Sequence, residues 1–99
     1  MISITYTNDG TNATLTIKGH SGFAGNGHDI VCAAVTALAY TLAQYVNMHG
    51  GSESSAELAD GRAEILLHGC DNRAVFDAVI EGLKLIADSY PQNVELIKI

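Results

Sequence analysis

The segment from Ile30 to Val46 limits how this chain can fold more than any other feature. Of its 17 residues, only Thr36, Thr41 and Gln44 are conventionally polar. Its apolar residues recur at helical spacing, which predicts an α-helix from about Ile30 to Met48. The predicted inward stripe is Val31, Ala34, Val35, Leu38, Leu42, Tyr45 and Val46. A helix with so little polar surface needs cover beyond one sheet, so we expect a homodimer in which a second subunit covers part of it.

Alternating apolar and polar residues on both sides of this helix predict a sheet. The alternation runs over Ile2–Thr7 and again over Ala13–Ile17, and turn-forming residues separate the two runs, which is typical of a hairpin. A second hairpin is predicted over Ser52–Ala59 and Arg62–His68. Its tight turn is Asp60-Gly61, a dipeptide suited to that geometry.

The remaining residues predict a second helix and a last strand. The helix begins after Asp71 or Asn72 and ends at Tyr90-Pro91, and the strand covers Val94–Ile99. The residues expected to face the sheet are Val75, Phe76, Val79, Ile80, Leu83 and Ile86. The order ββαββαβ predicts an α/β protein of the α+β type, a two-layer sandwich whose largely antiparallel mixed sheet carries both helices on one face. Residues 1–99 are expected to form one domain.

Composition and charge exclude several classes of protein. The chain is 47% hydrophobic and 16% charged, which is incompatible with disorder, and two cysteines are too few for a disulfide-stapled fold. A net charge of −6 argues against a nucleic-acid or anionic-membrane binder. Met1–Thr7 lacks the features of a signal peptide, and we expect no apolar run to reach the roughly 20 residues of a membrane span. We therefore expect a cytoplasmic protein with reduced thiols.

A histidine and a cysteine bracket the glycine-rich stretch that precedes the first helix. His20 opens this stretch, and Cys32 closes it within the first helical turn. If Asp29 caps the helix, Cys32 is its third residue, where unpaired N–H groups and the positive end of the dipole favour a thiolate and can hold an oxyanion. The dipole alone lowers a thiol pKa by less than about one unit, so a nearby His20 imidazolium would decide the reactivity.

The residues by themselves leave other roles open. Cysteine is among the most buried residue types, so Cys32 can equally be an inert core residue and His20 a plain loop residue. Cys70 is not preceded by a glycine-rich loop, and we interpret its role as structural or incidental. A metal site built from His28, Cys32, His68 and Cys70 is a further alternative, but its spacing matches no familiar zinc motif, so no metal and no cofactor is predicted.

Two motifs in this region carry a family resemblance. Gly19-His20, followed by Gly27-x-Asp29-Ile30-Val31-Cys32 and an apolar helix, resembles the signature of the ribosomal-processing cysteine protease family Prp. The similarity extends over the full chain, with Gly82-Leu83 late in the second helix and Tyr90-Pro91-x-x-Val94 at the close. The departures from the family pattern are Ser21, Gly25 and Thr36, and none of them removes a catalytic group.

The resemblance implies a dimeric cysteine endopeptidase that removes the N-terminal extension of a large-subunit ribosomal protein, the twenty-seventh. It also implies that cleavage follows a hydrophobic, aromatic-containing stretch of the substrate. It makes Cys32 the nucleophile and His20 the general base, whereas Asp29 either orients His20 or only caps the helix. The loop is expected to be flexible and to fold over the substrate; its residues of interest are Gly22, Phe23, Gly25 and Gly27. Two other classes stay open: a non-catalytic dimeric binding module associated with the ribosome, and a thiol-redox or metal-binding protein.

Overall fold

The structure is a computed structural model that describes residues 1–20, 22, 29–69 and 73–99. Its elements are β1 (Ile2–Asn8), β2 (Asn12–Lys18), α1 (Ile30–His49), β3 (Ser55–Ala59), β4 (Arg62–His68), α2 (Arg73–Ser89) and β5 (Val94–Lys98). The predicted order ββαββαβ is therefore confirmed. β3 begins at Ser55 instead of Ser52, because residues 52–53 form a turn after α1.

The strands form one five-stranded sheet in the order β3-β4-β2-β1-β5. The pairs β1–β2, β2–β4 and β3–β4 are antiparallel, whereas β1 and β5 run parallel, so the predicted mixed and largely antiparallel sheet is confirmed. Pairing of β2 with β4 ends at Lys18 opposite Arg62. This register brings residues 19–20, which follow β2, beside the turn that joins β3 to β4.

Alternate residues of the central strands build the core. The buried strand residues are Ile2, Ile4, Tyr6, Ala13, Leu15, Ile17, Ala63, Ile65 and Leu67. Both helices bury side chains in the same cluster, so both lie on one face of the sheet, as predicted. The opposite face is mostly polar, with a hydroxyl–hydroxyl hydrogen bond of 2.6 Å between Thr7 and Thr14 on neighbouring strands.

α1 buries a slightly different face from the predicted one. Its fully buried residues are Val31, Val35, Ala39, Leu42, Ala43 and Val46. Ala34, Leu38 and Tyr45 were expected to point inward but are only half-buried. Leu38 instead packs toward α2, where its side chain lies against Gly82. The small residues Ala39 and Ala43 take the inner positions because they let the helix approach the sheet closely.

The predicted inner face of α2 agrees with the structure. Phe76, Val79, Ile80 and Leu83 are buried, and Val75 and Ile86 are partly buried against the same core.

By length and composition, α1 is able to cross a membrane, contrary to the sequence expectation that no run reaches that length. The core helix of a soluble protein passes the same test. Because the inner face of α1 packs into the core shared by the sheet and α2, we interpret it as a core helix.

Candidate active site

Cys32 lies in the first turn of α1 because Asp29 starts the helix. Asp29 has an extended backbone, with φ −83° and ψ 99°, and its Oδ1 accepts a hydrogen bond of 2.8 Å from the Cys32 N–H. Asp29 is thus the N-cap, and Cys32 is the third helical residue, as predicted. The Cys32 side chain is half-buried and packed against the core, at the positive end of the helix dipole.

The cap changes one expectation about this turn. The Cys32 N–H already donates to Asp29, so it is not available for an oxyanion in this conformation. Of the N–H groups at the helix start that the sequence suggests for an oxyanion, the one of Cys32 is therefore occupied by the cap. The first N–H groups of the helix, before Cys32, are the ones that a helix leaves without intrahelical acceptors.

His20 is exposed, but its backbone is held on both sides. The Met1 nitrogen donates to the His20 carbonyl at 2.6 Å, and the Gly19 N–H donates to the Gly61 carbonyl at 2.8 Å. The first bond ties His20 to the start of β1, and the second ties it to the β3–β4 turn. Three segments of the chain therefore meet at this histidine.

His20 and Cys32 line the same open groove, which has a volume of about 770 Å³. Asp29 and Gly22 also line this groove, so the structure brings together four of the residues singled out from the sequence. One wall is the N-terminal half of α1, and the other is formed by the strand ends and the β3–β4 turn. Apolar contributions come from Ile2, Ile17, Val35, Ala39 and Ala63.

The groove also contains residues that the sequence did not single out as site residues. Asp60, Gly61 and Arg62 enter it from the β3–β4 turn, and Tyr40 enters from α1. Tyr40 follows Cys32 by about two turns on the same helix. This spacing could have identified Tyr40 as a residue of the groove. Nothing in the local sequence around Asp60-Gly61 points to His20, because sheet register alone brings them together.

Charges of both signs lie at the strand end of the groove. Arg62 forms an exposed ion pair with Glu64, and this hydrogen bond raises the pKa of the Arg62 guanidinium. Arg62 therefore stays a cation at any working pH, with Glu64 as its partner on the same strand.

Several predicted features fall outside the described residues. These are Phe23, Gly25, Gly27, His28 and Cys70. Within the described part of the chain, no group of three or more His, Cys, Asp and Glu side chains is placed to hold a metal ion. His68 binds other partners there: its ring contacts Asn12 and Glu53 at 2.6 and 2.7 Å.

A cysteine at the start of a helix and a histidine that lines the same groove are the parts of a cysteine-protease site. Comparison with known proteins agrees with this class. Residues 1–95 match the family model described as cysteine protease Prp. The ribosomal processing cysteine protease Prp of Mycoplasma genitalium is 33% identical over 81 residues, which cover 81% of this chain and 82% of that protein. The chain therefore belongs to the Prp family of cysteine proteases.

Solved structures share the fold. The ribosomal processing protease Prp from S. aureus, in complex with a covalently linked product peptide, superposes with a TM-score of 0.82 at 22% identity, covering 100% of both chains. The same S. aureus protease in complex with a substrate peptide gives a TM-score of 0.73 at 20% identity, again with both chains covered in full. SMU.848 from Streptococcus mutans gives 0.69 at 24% identity, covering 100% of this chain and 94% of that one.

Proposed function

We propose that this protein is an endopeptidase that removes the N-terminal extension of a large-subunit ribosomal protein, the twenty-seventh, during ribosome maturation in the cytoplasm. The observation that carries the proposal is the shared groove of His20 and Cys32, with Cys32 at the capped start of α1. The family supports the reaction, since its curated member from Mycoplasma genitalium is a ribosomal processing cysteine protease.

The reaction proceeds by a Cys–His dyad. His20 takes the proton from the Cys32 Sγ, and the thiolate attacks the scissile carbonyl carbon. The tetrahedral intermediate collapses to a thioester as the C–N bond breaks, and His20 gives its proton to the leaving amine. Water then hydrolyses the thioester, which restores the thiol and releases the new carboxylate.

The oxyanion is held at the start of α1. Because the Cys32 N–H donates to Asp29, we assign the oxyanion to the preceding N–H groups of the helix, those of Ile30 and Val31. The positive end of the helix dipole favours the developing negative charge at the same place.

The groove has the composition that an extended hydrophobic peptide requires. Its apolar lining from Ile17, Val35 and Ala39 continues along α1 toward Tyr40, a residue that is 54% exposed. An aromatic ring at the edge of an apolar groove stacks well on aromatic or aliphatic substrate side chains. This end of the groove therefore suits the hydrophobic stretch at the cleavage site that the family resemblance implies.

The protein acts as a homodimer in this proposal. The outer face of α1, away from the groove, exposes an apolar stripe of Ile30, Ala37 and Met48, with the polar residues Thr41 and Gln44 beside it. Ile30 is 59% exposed and Met48 is 65% exposed, which is unfavourable for large apolar side chains in water. A second copy that packs α1 against α1 would bury this stripe.

Cleavage of a synthetic peptide tests the function. The peptide carries the ribosomal extension and the residues that follow it, and the products are identified by mass spectrometry under reducing conditions with EDTA present. We expect wild type to cut at one bond, Cys32→Ala to give no product, and His20→Ala to be at least about 100-fold slower. His49→Ala is the matched control, since His49 is an exposed histidine at the other end of α1.

Three results would overturn the proposal. No cleavage by wild type would exclude this substrate, and cleavage by Cys32→Ala would exclude the nucleophile. Binding of the peptide without cleavage would favour a dimeric binding module instead.

A further inference from the structure

The His20 ring lies directly over Gly61, a residue distant in sequence. Gly61 has a φ of +70°, and a Cβ built on it would lie 3.0 Å from the His20 Nε2 and 3.5 Å from its Cε1. The distance to Nε2 is tighter than nine in ten real contacts of a Cβ, whereas the distance to Cε1 is an ordinary contact. A Cβ at position 61 would therefore require the imidazole to move by a few tenths of an ångström, and a longer side chain would require more. The outer edge of the ring, which contains Nε2, is the part that faces this glycine.

The backbone on both sides of this contact is fixed. The Gly19 N–H donates to the Gly61 carbonyl at 2.8 Å, one residue before His20. The adjacent strand pairing of Lys18 with Arg62 sets the register of this hydrogen bond. The β3–β4 turn and the His20 segment are thus one hydrogen-bonded unit at the strand ends.

We infer that Gly61 is a positioning residue for His20: its bare Cα forms the surface on which the imidazole rests. The inference depends on the proposed role of His20 as the general base. A positive φ alone would also be compatible with asparagine, which adopts this conformation readily. Glycine fits the turn and also leaves the imidazole in its observed position, whereas asparagine would fit the turn and press against the ring.

The positioning effect should appear in the rate of cleavage. A shift of about 1 Å in a reacting group can cost on the order of 100-fold in rate. Gly61 lies on the wall of the groove opposite α1, so the apolar wall that is proposed to bind the substrate side chains is not altered by the substitution. Displacing the imidazole from Gly61 should therefore lower kcat and leave KM nearly constant.

The test compares the same substitution at two glycines. Gly61→Asn keeps the turn conformation but places a side chain against the ring. Gly51→Asn is the matched control, because Gly51 has a φ of +78° and a Cβ there meets no described atom within 4 Å. Gly61→Ala is a second variant, with only one added carbon. The readouts are Tm, kcat and KM on the peptide, and the ring resonances of His20 by NMR.

We expect Gly61→Asn to lower kcat at least tenfold, to change KM less than twofold and to shift the His20 ring resonances. Gly61→Ala should give a smaller effect of the same kind. Gly51→Asn should match wild type in kcat, KM and the His20 ring resonances. Tm should differ little between the two asparagine variants. Equal kcat and equal His20 resonances in Gly61→Asn and Gly51→Asn would overturn the inference.

His20→Ala separates this inference from the proposed function. If His20→Ala is inactive while Gly61→Asn behaves as Gly51→Asn does, the dyad stands and the positioning role is refuted. If His20→Ala cleaves at the wild-type rate, the dyad itself is refuted, and any loss of rate in Gly61→Asn has another cause.

Discussion

The Asp29 carboxylate accepts the backbone N–H of Cys32 at 2.8 Å, so the residue that starts α1 also fixes the turn that presents the proposed nucleophile. One hydrogen bond therefore both caps the helix and fixes the turn that carries the thiol. The sequence left two roles open for Asp29, orienting His20 or capping the helix, and the structure shows the cap. Asp29 also lines the groove that His20 lines, so its charge is present in the site.

Substitutions at Asp29 should separate its cap from its charge. Asparagine caps helices about as well as aspartate, so Asp29→Asn should keep the free energy of unfolding within about 0.5 kcal/mol of wild type. Asp29→Ala removes the acceptor and should cost about 1 kcal/mol. If Asp29 acts only as a cap, Asp29→Asn should retain cleavage and Asp29→Ala should lose part of it. Urea unfolding and peptide cleavage measure the two effects.

The contrary outcome for Asp29 is specific. Full stability of Asp29→Asn together with loss of cleavage would show that the carboxylate charge acts on the chemistry.

A charge on the outer face of α1 should break the proposed dimer. Ala37 is exposed on this face, and burying an unpaired glutamate at an interface is strongly unfavourable. We expect wild type to give twice the 10.4 kDa chain mass by light scattering at micromolar concentration, and Ala37→Glu to give the monomer mass. Ala78→Glu adds the same charge to an exposed alanine of α2 and should leave the dimer intact. A monomeric wild type would contradict the proposal.

The first hairpin should become less stable in acid because of Asp9. Backbone N–H groups of Asn12 and Thr11 donate to its carboxylate at 2.7 and 2.9 Å and lower the pKa of Asp9 below its ordinary value of 3.8. A pKa that is lower in the folded state stabilises the fold above pH 3.8, and this contribution is lost as the pH falls through the folded pKa. Asp9→Ala should therefore lower Tm at pH 7, and the difference from wild type should shrink below pH 3.8. A difference that is constant with pH would refute this.

Gly82 should tolerate one added carbon but not a large side chain. A Cβ at this position would lie 3.0 Å from the Leu38 Cδ1, which is the flexible end of a half-buried side chain. Gly82→Ala gains up to about 1 kcal/mol of helix propensity and should be neutral or stabilising after Leu38 shifts. Gly82→Leu overfills the gap between α1 and α2 and should cost about 1–3 kcal/mol. Thermal unfolding measures both effects: the Tm of Gly82→Ala should equal or exceed that of wild type, and the Tm of Gly82→Leu should be lower.

The strand pattern allowed most of the fold to be predicted from the sequence. Each central strand buries every second residue, so the alternation in β1, β2 and β4 marked both the strands and their inner faces. The inner face of α1 was harder to predict, because a helix that is apolar nearly all round gives no strong preference for one side. Ala39 and Ala43 were not predicted as inner residues. They are buried because α1 lies close to the sheet and only small side chains fit there, and this distance cannot be inferred from the sequence.

The parts of the site that depend on neighbouring residues in the sequence were predicted correctly. The parts that depend on the register of the sheet were missed. The N-cap Asp29 and the helix position of Cys32 follow from residue type and spacing within a few positions. The contact of His20 with Gly61 depends on the pairing of β2 with β4, so the sequence around either residue does not predict it. The occupied Cys32 N–H likewise required the geometry of the cap.

Covalent labelling tests the central claim, that Cys32 attacks a peptide carbonyl, most directly. The protein is incubated with a peptide of the ribosomal extension that ends in a chloromethyl ketone at the cleavage position, and peptide mapping by mass spectrometry locates the adduct. We expect one adduct per chain on Cys32, much slower labelling of His20→Ala, and little labelling by a peptide of scrambled sequence. An adduct on Cys70 instead of Cys32, or unchanged labelling of Cys32→Ala, would contradict the account.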